Sequence, residues 1–95
     1  MQKYERGDTM KILGYFTDPD TGVYVDPSDP TCYVYKPDGT VKWSGAMTKI
    51  GTGSYKAEVS TDFTDDLGYW KVRIYGTYTG KRVVETERLW MVEVI

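Results

Sequence analysis

Turn-forming residues punctuate this chain every eight to fifteen positions, and the segments between them alternate apolar and polar side chains. That spacing leaves room for short strands and for little else. The punctuation falls at Gly7-Asp8, Asp18-Pro19-Asp20-Thr21-Gly22, Asp26-Pro27-Ser28-Asp29-Pro30, Pro37-Asp38-Gly39, Gly51-Thr52-Gly53, Asp62 to Gly68 and Thr79-Gly80-Lys81. Pro fixes φ, while Asp and Gly tolerate the positive φ that tight turns need. Strands are predicted over 2–6, 9–17, 31–36, 40–43, 54–60, 69–78 and 82–94, with Ser44-Gly45 interrupting the fourth. A weak strand or loop is expected over 46–50, and a brief pairing over 23–25. The two prolines of the Asp26–Pro30 segment argue against a central strand there. No segment sustains the i, i+3, i+4, i+7 pattern of a helix.

The alternation also sorts residues by face, because successive strand side chains point to opposite sides. Met10, Ile12, Gly14 and Phe16 share one face, as do Cys32 with Val34, Tyr55 with Ala57 and Val59, Trp70 with Val72 and Ile74, and Trp90 with Val92 and Val94. These are the expected core. Ninety-five residues support one domain, 1–95. The fold class that accommodates them is all-β: an immunoglobulin-like β-sandwich of about seven antiparallel strands in a Greek key. Asp66-Leu67-Gly68-Tyr69-Trp70-Lys71-Val72 strengthens this reading. Its Asp-x-Gly-x-aromatic-x-apolar spacing marks the corner that leads into strand F of such sandwiches, with Trp70 replacing the usual Tyr and Val72 the usual Cys.

Several function classes recede on composition. The chain has no histidine, which removes the commonest general base and histidine-based triads. One cysteine, Cys32, allows neither an intrachain disulfide nor a thiolate cluster. Twelve basic and fourteen acidic residues are spread along the chain, so no basic block follows a phosphate backbone or an anionic membrane. No apolar stretch is long enough to span a bilayer as a helix. No nucleic acid, membrane or cofactor partner is expected, and no catalytic residue.

Three groups invite a closer look. Asp18, Asp20, Asp26 and Asp29 begin like a calcium loop, but Pro19 intrudes and the twelfth-position Glu is missing. Asp62, Asp65 and Asp66 form a second acidic group; both groups read first as turn formers, and no metal is expected. Cys32 reads as a small buried hydrophobe, since neither neighbour is a cation that would lower its pKa. If the core set faces inward, Tyr33, Tyr35, Lys71, Arg73, Tyr75, Leu89 and Met91 must face outward on one sheet. Tyr, Arg and Met are enriched at protein interfaces. The competing reading is that aromatic cross-strand pairs stabilise the sheet itself.

The strings Gly7-Asp8-Thr9, Phe16-Thr17-Asp18, Asp26-Pro27, Pro37-Asp38-Gly39, Gly53-Ser54-Tyr55 and Leu67-Gly68-Tyr69-Trp70 follow in order across about residues 6 to 76. In them the chain resembles the small immunoglobulin-like structural proteins of tailed bacteriophages and prophages, and it is similar to bacterial and archaeal surface immunoglobulin-like domains. The resemblance implies a non-enzymatic module in a head, head-tail or tail assembly. It would contact other structural proteins of an oligomeric virion, with homo-oligomerisation an option, and be found in the virion or in the bacterial cytoplasm during assembly. The alternative it carries is an extracellular or cell-surface domain that binds protein or carbohydrate.

Overall fold

The computed structural model describes residues 2–18, 20–79, 81–82 and 88–95, without the side chains of 2, 81, 82 and 88–92. The described strands are β1 (Gln2–Tyr4), β2 (Thr9–Tyr15), β3 (Ser28–Tyr35), β4 (Val41–Ala46), β5 (Thr48–Gly51), β6 (Ser54–Ser60), β7 (Gly68–Tyr78), β8 (Lys81–Arg82) and β9 (Arg88–Val94). They form two sheets. The larger runs β1-β9-β7-β3-β4, with β8 hairpinned onto the end of β7, and the smaller runs β2-β6-β5. The order β2-β6-β5 facing β3-β7-β9 is the B-E-D against C-F-G arrangement of the immunoglobulin-like sandwich. All described pairings are antiparallel except β1 with β9.

The inward faces meet as the alternation requires. Met10, Ile12, Phe16, Cys32, Val34, Tyr55, Ala57, Val59, Trp70, Val72, Ile74 and Val94 are all buried. Phe16 and Tyr55 meet edge to face within the smaller sheet's inner surface, with ring centroids 5.2 Å apart. Trp90 and Val92, also expected in the core, have side chains outside the described residues. Trp70 is fully buried, and its indole Nε1–H donates to the Asp66 carbonyl at 3.0 Å. The bond does for tryptophan what the phenol does in a tyrosine corner: it ties the start of β7 to the chain just upstream.

The first two strands end two residues early, at Tyr4 and Tyr15, and the strand expected over 82–94 is described as β8 and β9, with 83–87 outside the described residues; two further boundaries shift by three residues. β3 begins at Ser28 and includes Pro30, because the β3–β7 register slips between Ser28 and Thr31. A proline is tolerated at such an irregularity, where no ladder N–H is needed. Its carbonyl accepts the Met47 N–H at 2.9 Å. β4 does not stop at Ser44-Gly45 but runs on to Ala46. Gly45 is retained in the strand because the Trp43 indole lies over it, 2.9 Å from where a Cβ would stand. The brief pairing expected over 23–25 is a single bridge, Thr17 with Tyr24.

Candidate functional site

With Cys32 and Val34 turned inward on β3, Tyr33 and Tyr35 point outward; with Trp70, Val72 and Ile74 inward on β7, Lys71, Arg73 and Tyr75 do the same. The register sets Tyr33 opposite Arg73 and Tyr35 opposite Lys71. The structure therefore brings five of the seven expected residues together on the outer face of the larger sheet. Leu89 and Met91 pair in register with Arg73 and Lys71 on β9, and their side chains lie outside the described residues. Tyr69 and Glu93 extend the face and are paired across β7 and β9. Sequence reasoning omitted Tyr69, although it shares the parity of Lys71 and Arg73.

The tyrosines form a ladder. Tyr33 stacks on Tyr35 with centroids 6.1 Å apart and planes 13° from parallel, and on Tyr75 at 5.5 Å and 15°. The Arg73 guanidinium carbon lies 5.9 Å from the centre of the Tyr75 ring, within cation–π range. Tyr33 is therefore the middle ring of three in offset, near-parallel array. The three rings are each half-buried, so the ladder is accessible from outside the sheet.

The acidic groups turn out to organise loops. Asp18 accepts the Asp20 N–H at 2.8 Å within its own turn, and Asp29 has φ 53°. Asp26 reaches the β5–β6 turn, accepting the Gly53 N–H at 2.9 Å and the Tyr55 hydroxyl at 3.2 Å, and it pairs with Lys49 Nζ at 2.6 Å. The Gly53 N–H and Lys49 hold the Asp26 carboxyl below its ordinary pKa, with Tyr55 adding to them. Among the described residues, no three His, Cys, Asp or Glu side chains gather as a metal would need.

Among the described residues, Asp65 is the buried acid. Lys42 Nζ lies 3.0 Å from one Asp65 oxygen and 3.0 Å from Asp62, Lys36 Nζ is 3.6 Å from the other Asp65 oxygen, and the Asp62 N–H donates at 2.6 Å. Burial alone would push the Asp65 carboxyl up. The Asp62 N–H and the two lysines outweigh it and hold the carboxyl below the ordinary range. Burial likewise opposes the charge on Lys42, yet its bonds to Asp62 and Asp65 raise its pKa. Cys32 is fully buried, and desolvation pushes its thiol up to about 12. A thiol in that state is no nucleophile near neutrality.

Two surface features were not foreseen. The edges of the two sheets leave a cleft of about 310 Å³ beside β4, lined by Trp43, Thr48, Lys56 and Glu58 among others. At the end of the sandwich that gathers loops 5–8, 36–40 and 61–67, Phe63 is 81% exposed and lines a shallow hollow of about 360 Å³ with Glu5, Arg6 and Ile95. Phe63 lies in an Asp-rich turn with no strand pattern around it, so periodicity gave no cue to its role.

No family model matches the chain, and no curated protein matches it. Among solved structures, a segment of the crystal structure of Salmonella alpha-2-macroglobulin reacted with methylamine is similar, with TM-score 0.73 and 27% identity over 99% of this chain. The chain spans 6% of the length of that protein. The likeness agrees with the immunoglobulin-like sandwich read from the strand order.

Proposed function

We propose that this chain is a non-enzymatic immunoglobulin-like module that makes protein–protein contacts through the outer face of its larger sheet. The observation that carries the reading is the ladder of Tyr35, Tyr33 and Tyr75 with Arg73 beside it. Aromatic residues and arginine are the types that anchor interfaces, and here a rigid sheet holds them in place before any partner arrives. The setting we propose is a structural assembly of a tailed phage or prophage, on the ordered strings from Gly7-Asp8-Thr9 to Leu67-Gly68-Tyr69-Trp70.

A second reading is favoured by the likeness to a small part of alpha-2-macroglobulin, which supports one module of a much longer protein; the cell surface is the setting we propose for it. The arginine beside the tyrosine ladder speaks for a protein ligand in either setting. Density-gradient fractionation of the source organism, with quantification of this chain's peptides, separates the two. Co-migration with DNA-containing particles at constant stoichiometry is expected for a virion component; recovery in the envelope fraction alone would move the module to the cell surface. Tyr35→Ala combined with Arg73→Ala is expected to abolish attachment in the fraction where the wild type resides while the fold persists. Wild-type attachment by that variant would remove this face from consideration.

A further inference from the structure

The two sheets part beside β4. That strand ends the larger sheet, and Met47 carries the chain across to β5 in the smaller one. β5 pairs with β6 only from Thr48, opposite Lys56, onward. Among the described residues, the stretch of β6 from Ala57 to Ser60 therefore has β2 as its one neighbouring strand. The ladder tells which way its main-chain groups point. The Thr61 N–H donates to the Asp8 carbonyl and the Phe16 N–H to the Gly53 carbonyl, at the two ends of the β2–β6 register. Bonded pairs alternate along an antiparallel ladder, so Ala57 and Val59 direct their N–H and C=O to β2. Glu58 and Ser60 turn theirs to the side that β5 does not reach.

The cleft of about 310 Å³ lies along this bare edge, with Lys56, Ala57 and Glu58 on one wall and Trp43 and Ala46 on the other. It is framed at both ends. The Ala46–Thr48 crossover closes one end, and at the other Lys42 reaches from β4 to Asp62 and Asp65 in the loop after β6. Between them the unpaired edge, Ala57 to Ser60, runs for about 10 Å. A side chain entering there meets an apolar floor: Ala57 and Val59 point inward, and the Trp43 indole lies over Gly45. No inward-pointing charge guards this stretch of β6, although such charges are a common protection of open edges.

We propose that this seam is a strand-acceptor site: an extended segment of a partner protein adds to β6 in line with β5. Its main chain bonds Glu58 and Ser60, and its inward side chains pack on Trp43 and Ala57. The ligand class follows from the groups on offer, since N–H and C=O groups at strand spacing are matched by another main chain. The new strand continues the ladder that β5 already makes on Lys56, so its distance from β6 is set in advance. The frame decides between occupants. A window of about three residues, bounded by Lys42 and the crossover, suits one linear segment rather than the edge of a second sandwich. The site is separate from the tyrosine face and stands whether or not that face makes contacts.

Amide hydrogen exchange read by NMR tests the site in two steps. In the protein alone, the Glu58 and Ser60 amides are expected to exchange faster than those of Ala57 and Val59, which β2 holds. The probe is then an acetylated, amidated heptapeptide that alternates valine and threonine, with a control methylated at every internal peptide nitrogen. The parent peptide is expected to shift the Glu58 and Ser60 resonances and to slow their exchange about tenfold at roughly ten times its dissociation constant. The methylated peptide is expected to do neither. Glu58→Pro removes a donor that no ladder bond of the protein uses, and is expected to fold and to lose binding. Should that variant fail to fold, the methylated peptide carries the decision. Slow exchange at Glu58 and Ser60 in the free protein, no binding of the parent peptide, equal binding of both peptides, or shifts centred on Tyr33 and Tyr75 would overturn the proposal. Protection of Glu58 and Ser60 that grows with protein concentration in the absence of peptide would overturn it in favour of a second copy.

Discussion

Asp65 and Lys42 show how one pair of side chains ties together the end of the sandwich that gathers loops 5–8, 36–40 and 61–67. The Asp65 side chain is 4% exposed and that of Lys42 16%, so each charge depends on the other for the solvation it has lost. Replacing one partner leaves a poorly hydrated charge behind, which is the costly way to break such a pair. Asp65→Asn is expected to cost about 2 kcal/mol in urea denaturation, below the usual figure for a buried pair because Asp62 still serves Lys42. The effect must also depend on pH. The folded Asp65 carboxyl titrates below its unfolded value, so its contribution is complete above the unfolded pKa of about 3.9 and disappears as pH falls through the lower folded one. Denaturation curves of wild type and Asp65→Asn should therefore be separated near neutrality and converge in acid. A gap that stayed constant down the acid limb would show that the carboxylate's charge is not what stabilises the fold.

Among the elements, β7 is the one on which both core and face depend. It pairs with β3 and β9, buries Trp70, Val72 and Ile74 inward and presents Lys71, Arg73 and Tyr75 outward. Its start is set by the Trp70 indole bonded to the Asp66 carbonyl. Trp70→Phe keeps an aromatic ring but removes that donor and leaves a void, and is expected to destabilise by about 2 kcal/mol with lowered thermal midpoint. An unchanged midpoint would mean that the corner contributes packing area alone. β7 was legible in the sequence because strict alternation over its length and the Asp-x-Gly-x-Trp signature agree on one register. The outer face of the larger sheet, which we propose as the contact face, was legible for the same reason, since parity places side chains on a face without knowledge of their contacts. What alternation could not give was stacking: Tyr33 meets Tyr75 across strands because of a diagonal offset that only the register reveals. β3 and β4 were misjudged where a local rule met a tertiary exception, Pro30 at a register slip and Gly45 beneath the Trp43 indole. Phe63 was missed because loop residues carry no period.

At the scale of the whole molecule, Cys32 reports whether the two sheets open together. It sits on β3, between β7 and β4, opposite Ile74 on one side and Gly45 on the other, and is fully buried. No fraying of a terminal strand or loop uncovers a residue in that position; the sandwich must come apart around it. Burial also raises the thiol to about 12, so the reactive thiolate is scarce even where a reagent could approach. Modification by a thiol reagent at mildly alkaline pH is expected to be negligible in native buffer and complete in concentrated guanidinium. Between those limits, its dependence on urea should have the slope of global unfolding, because the reaction samples the fully open state. A shallower slope would reveal a sub-global opening in which β4 detaches from β3. In that event the Trp43 cleft beside β4 would be the seam along which the sandwich parts.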